Sequence, residues 1–99
     1  MDVVRWTKSK KPTLEELRAH LASLGWESEL YSDRPGTKYS RHKHPFDDFV
    51  LIVKGKMKIA TETGEWLLKP GDRIDLPANT IHTAEMVGKD EVQYLSAAK

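Results

Sequence analysis

The chain has 99 residues, enough for one domain with one core and too few for two. Sixteen Lys and Arg against fifteen Asp and Glu leave a formal charge of +1, which excludes a global field that would gather nucleic acid or anionic membrane. The absence of cysteine removes disulfides, thiolate ligands and thiol nucleophiles together.

Residues 1–12 read as a lead, apolar at Val3, Val4 and Trp6, then basic at Lys8, Lys10 and Lys11, the composition of a solvated linker. The opening MDVVRWTKSKKP lacks the apolar stretch of a secretory signal, and no later run approaches bilayer length. The expectation is a soluble cytoplasmic domain with neither a membrane nor a nucleic-acid partner.

A helix is expected over 13–24. Thr13 followed by Glu16 fits a capping box, Leu14, Leu17, Leu21 and Leu24 fall on one stripe, and Gly25 is placed to end it. From Gly25 onward short apolar or alternating runs are punctuated every several residues, the texture of an antiparallel barrel or sandwich over 26–96. Strands are expected at Trp26–Tyr31, Thr37–His44, Phe49–Val53, Met57–Thr61, Trp66–Leu68, Ile74–Leu76, His82–Val87 and Val92–Leu95. Turns are expected at Arg34-Pro35-Gly36, Lys54-Gly55, Glu62-Thr63-Gly64, Lys69-Pro70-Gly71-Asp72 and Pro77-Ala78-Asn79.

Within RHKHPFDDF, His42 and His44 are two apart and in a strand share a face, together with Lys38 and Ser40. If that face is solvated the pair is a surface feature. If it is the interior, two unpartnered imidazoles would be costly and a shared cation is one solution, since neutral imidazole is a good ligand for transition metals. Asp48 heads the apolar strand that follows. With Asp48, Val50 and Ile52 inward, Phe49, Leu51 and Val53 face outward and need a cover, either the helix or a second subunit. The fourth histidine, His82, opens a late strand with Ala84 and Met86 on its own parity. Asp47 is expected at the surface, and Asp72 as an acceptor of turn N–H groups.

These residues resemble the cupins. The first motif of that family, G-x5-H-x-H-x3,4-E-x6-G, is matched by Gly36, five residues, His42-Lys43-His44, three residues, Asp48, six residues and Gly55. The second, G-x5-P-x-G-x2-H-x3-N, is matched by Gly71, five residues, Pro77-Ala78-Asn79, two residues, His82, three residues and Met86. Three departures stand out: Asp48 is a methylene shorter than the family's glutamate, Met86 replaces its asparagine, and Asn79 replaces a glycine. The last is mild because asparagine tolerates a left-handed turn.

The resemblance implies an all-β, double-stranded β-helix (jelly-roll) barrel of six to eight strands, here with one N-terminal α-helix. It also implies one divalent transition metal (iron, manganese, nickel, copper or zinc) on His42, His44, Asp48 and His82. Lys38, Ser40, Met86 and Tyr94 are the expected substrate contacts. The expected function is a metal-dependent enzyme, dioxygenase-like or isomerase-like, acting on a small organic acid or phenol-like compound; the alternative is a non-catalytic module that binds a small ligand or metal. The outward apolar stripe with Trp6 and Trp26 leads to the expectation of a homodimer.

Overall fold

The computed structural model describes residues 1–98. In chain order the elements are β1 (Asp2–Val4), α1 (Leu14–Ser23), β2 (Glu29–Asp33), β3 (Lys38–His42), β4 (Asp48–Lys54), β5 (Lys56–Thr61), β6 (Gly64–Leu68), β7 (Arg73–Leu76), β8 (His82–Val87) and β9 (Val92–Ala98). They form two antiparallel sheets, a five-stranded one ordered β1-β7-β4-β9-β2 and a four-stranded one ordered β3-β8-β5-β6. The fold is an all-β barrel of two facing sheets with one helix, as expected.

Between the sheets lies the main core, in which Ile52, Leu68, Ile74 and Val92 are fully buried and Val50, Met57, Ile59, Leu76 and Met86 nearly so. Each such side chain contributes about 1.5–3 kcal/mol by leaving water. A second cluster sits on the outer face of the larger sheet, where Leu17 and Leu21 of α1 close over Leu51 and Leu95. Beside it Trp26 stacks on Phe49 with ring centroids 3.8 Å apart, and Val53 packs at the margin. The outward stripe of β4 is packed within the single chain against α1 and Trp26.

Helix α1 starts as expected. The Thr13 hydroxyl accepts from the Glu16 N–H, and the Glu16 carboxylate accepts from the Thr13 N–H. Of the leucine stripe, Leu17 and Leu21 are buried, whereas Leu24 is exposed at the C-cap. The lead differs from a linker: Asp2–Val4 adds a strand to the free edge of β7, pairing Val3 with Ile74, which makes nine strands in all among the described residues. The carboxylate of Asp72, buried under this strap, accepts from the backbone N–H groups of Trp6 and Lys69, each at 2.9 Å, and from Arg5. It is the turn acceptor expected, and it also docks the amino-terminal segment.

Two strands shift. The first barrel strand starts at Glu29 rather than Trp26, because the Trp26 ring is committed to Phe49 above the sheet. The last runs on to Ala98, since its residues 96–98 pair with Asp48, Phe49 and Val50.

The most consequential difference lies in β3. Tyr39 pairs with Ala84 and His42 with His82, so three steps along β3 match two along β8. The extra residue is a β-bulge, and it inverts the alternation. Tyr39, not Lys38 or Ser40, shares the inner side with His42; Lys38 pairs with Glu85, and both Lys38 and Ser40 are exposed.

Candidate functional site

One end of the space between the sheets is a cavity of about 270 Å³. Its walls are apolar, with Val50, Met57, Ile59 and Met86 among them, and its polar groups gather at the mouth. Of the residues expected from the sequence, the cavity brings together His42, His44, Asp48, His82, Met86 and Tyr94. Lys38 and Ser40 do not line it, for the reason given by the bulge.

His42 ends β3, His82 opens β8, and the two are register partners across the strand pair. His44 follows on the loop, held from below by a backbone bond: its carbonyl accepts from the N–H of Asn79 at 2.7 Å. Asn79 has φ of 66°, the left-handed conformation that the family's glycine would take with less strain. Asp47 braces the same loop from the other side, its carboxylate accepting from the Ala78 N–H at 2.8 Å. The two motifs thus meet in space through the backbone as well as through the imidazoles.

The ring centroids of His42 lie 4.8 Å from His44 and 4.3 Å from His82, and those of His44 and His82 lie 5.3 Å apart. One nitrogen from each ring falls within 4.8 Å of the others. Nitrogens that share an ion at bond lengths of about 2.1 Å stand no more than ~4.2 Å apart, so the three are gathered to within less than an ångström of a common ligand sphere. The Nδ1–H groups are used elsewhere: His42 donates to the Ser40 carbonyl at 2.5 Å and His82 to the Thr80 carbonyl at 2.9 Å. This fixes the tautomer that leaves Nε2 as a free lone pair, the arrangement by which histidine ligands are oriented. The side chains fit a transition ion.

Burial pushes the His82 imidazole below its ordinary range; the Thr80 carbonyl pulls it upward, while His42 and His44 press it down again. It therefore stays neutral, as a ligand must.

Asp48 lines the cavity beside this cluster and stands at its margin. Its Oδ1 accepts from the Ser96 hydroxyl at 2.8 Å, and its Oδ2 lies 4.0 Å from His44 Nε2. The shorter side chain stops the carboxylate short of hydrogen-bond distance from His44, and Ser96 holds it there.

Four side chains of this end were missed from the sequence. Tyr31 and Tyr39 line the cavity with Tyr94, so all three tyrosines of the chain converge on one opening. Asp33, on β2, accepts from the Tyr39 hydroxyl at 2.9 Å and from the Tyr94 hydroxyl at 2.8 Å, both on Oδ2. This bridge joins the edge strands of the two sheets, and no spacing in the chain announces it. Ser96 had a signal, since it is two residues beyond Tyr94 and shares its face once the strand is carried past Leu95. Burial pushes the Tyr94 hydroxyl well above its ordinary value, and its bond to Asp33 pushes the same way.

Comparison with known proteins agrees with the fold. The family model described as "Cupin domain" matches residues 30–98. Polyketide synthase CurC of Streptomyces cyaneus is 28% identical over 61 residues, which is 61% of this chain and 40% of that protein. The chain thus spans well under half of the curated relative it matches. A conserved protein of unknown function from Streptococcus pyogenes superposes with a TM-score of 0.65 at 25% identity, over 74% of this chain and 62% of that one. KdgF from Halomonas sp. superposes with a TM-score of 0.64 at 22% identity, covering 74% and 68% of the two chains. A cupin superfamily protein from Desulfitobacterium hafniense DCB-2 gives 0.64 at 21% identity, over 97% of this chain and 73% of that one. Among the described residues, no helix is long and apolar enough to cross a membrane.

Proposed function

The chain belongs to the cupin family, whose model covers residues 30–98, and from that premise we propose that it is a metal-dependent enzyme acting on a small organic molecule bound in the barrel mouth. The observation that carries this reading is the convergence of His42, His44 and His82 at the polar end of an apolar-walled cavity. These three rings would hold one divalent transition ion. The chemistry such an ion supplies is Lewis-acid polarisation of a substrate oxygen.

The chain's own residues do the rest. Val50, Met57, Ile59 and Met86 exclude water from the ligand and raise the strength of every polar contact near it. Asp48, held by Ser96, stands beside His44 and is placed to take a proton at Oδ2. Tyr39 and Tyr94, fixed by Asp33, orient the end of the ligand away from the histidines.

Elemental analysis of protein purified without an affinity-tag metal column tests the proposal, on the parent and on His44→Ala. One ion per chain in the parent and its loss in the variant are expected. With ion at 100 times its dissociation constant, the parent gains about 2.7 kcal/mol of stability and the variant loses that increment. A parent without stoichiometric metal, even after incubation with manganese, iron, nickel, copper and zinc salts in turn, refutes it.

One observation favours a second reading, a non-catalytic binding module: the hydroxyls around the cavity are all given to carboxylates, so none stands free as an acid. Metal and ligand uptake without conversion of any bound compound would decide for that module.

A further inference from the structure

The hydrogen-bond inventory of the cavity is one-sided. Tyr39 and Tyr94 each donate to Asp33, Tyr31 donates to Glu29 at 2.8 Å, and Ser96 donates to Asp48. A hydroxyl has one hydrogen, so each of these four oxygens is left to a ligand as an acceptor only. Asp48 is itself an acceptor, and His42 and His82 have committed Nδ1–H to backbone carbonyls. Among the side chains lining the cavity, His44 alone keeps an uncommitted N–H, and it stands at the histidine end. Among the described residues, no Lys or Arg lines the space.

The charge is one-sided too. Asp48 faces the cavity, and Asp33 stands directly behind the two phenols, polarising them toward greater electron density on oxygen and ring. Tyr31 stacks on Tyr94 with centroids 5.7 Å apart, so aromatic faces flank the same opening. Electron-rich rings backed by carboxylates attract a cation, and oxygens that can only accept call for a ligand that donates. A second carboxylate on a ligand would meet neither a donor nor a positive charge at this end.

From this juxtaposition we infer that the tyrosine end of the cavity binds a protonated amine, so that the ligand is a small molecule carrying a primary ammonium group rather than an acid. The ammonium hydrogens go to the Tyr39 and Tyr94 oxygens, with Asp33 supplying the counter-charge through them. This departs from the small organic acid or phenol-like compound expected from the sequence. It rests on the cavity described under the proposed function but not on the metal.

The test is a nuclear magnetic resonance titration of protein stripped with a chelator, so that no ion contributes. The probes are propylammonium, propan-1-ol, propionate and tetramethylammonium. Propylammonium is expected to bind with millimolar affinity, at least about tenfold tighter than each of the others, and to move the resonances of Tyr39, Asp33 and Tyr94. Asp33→Asn weakens propylammonium about tenfold and leaves propan-1-ol nearly unchanged, because it removes charge while keeping an acceptor for both phenols. Tyr39→Phe, at an exposed position whose loss the fold tolerates, weakens propylammonium about threefold. Propionate binding as tightly as propylammonium overturns the inference. So does tetramethylammonium matching it, since that ion has charge and no donor, or propan-1-ol matching it, since that has a donor and no charge. Failure of propylammonium to shift the cavity resonances at tens of millimolar also overturns it. Protein that takes up no metal yet binds propylammonium sinks the metal proposal and leaves this one standing.

Discussion

Gly71 offers a quantitative check on how the amino-terminal strap is held. It sits at φ of 91°, in the left-handed half of the map, and is buried in the turn that leads into β7. A Cβ built there would stand 2.6 Å from the Trp6 Cβ and 2.5 Å from its Cδ2, about an ångström inside ordinary carbon contact. Gly71→Ala therefore carries two penalties. The backbone conformation costs about 1–2 kcal/mol for a residue with a Cβ. The collision costs a further ~1–3 kcal/mol, since Trp6 must retreat and its N–H leaves the Asp72 carboxylate that it meets at 2.9 Å. The sum is about 2–5 kcal/mol, which in a domain of this size lowers the melting temperature by roughly 10 °C or more. Urea unfolding followed by circular dichroism gives the value directly. The same substitution in a Trp6→Gly background separates the penalties, because the second chain has no atom for the new methyl to strike. Only the backbone part, about 1–2 kcal/mol, should remain. An effect below about 1 kcal/mol in the parent, or an equal effect in both backgrounds, refutes the claim that strap and turn are packed against each other.

Two further outcomes are expected. Asn79→Ala should cost about 1–2 kcal/mol in urea unfolding, because φ of 66° strains an alanine more than an asparagine, while Asn79→Gly should be neutral or slightly stabilising; equal costs for the two would remove the conformational argument. Stability should fall as pH climbs above about 10: the unfolded chain releases the Tyr94 proton near there, whereas the folded protein, whose phenol is raised by burial and by Asp33, holds it, so the increment is complete below that pH and drains away above it. Tyr94→Phe should flatten this alkaline decline in thermal-melt measurements, and a decline of unchanged steepness would count against the Tyr94–Asp33 bond.

Residues local to one another in the chain announced themselves. The helix was readable because Thr13, Glu16 and the leucine spacing are all within a few turns of each other, and the capping box is present as expected. The histidine cluster was readable because His42 ends one strand, His44 follows on the adjoining loop and His82 opens another strand, beside turn residues whose backbone demands are local, Asn79 above all. What could not be read was anything that depends on how many residues of one strand oppose another. Strict alternation placed Lys38 and Ser40 inward; the single extra residue in β3 exchanged them for Tyr39. Asp33 gave no signal, since its meaning comes from Tyr39 six residues away and Tyr94 sixty-one residues away, across both sheets.

The amino-acid order alone determined that this is one small all-β barrel of cupin type with a capped helix and three histidines able to share an ion, because turn chemistry, periodicity and motif spacing are properties of neighbouring residues. Only the tertiary structure decided which side of β3 faces the cavity, that α1 packs over β4, and that every tyrosine spends its hydrogen on a carboxylate. Those outcomes follow from strand register and from hydrogen-bond partners brought together by closure of the two sheets, and neither exists until the chain has folded.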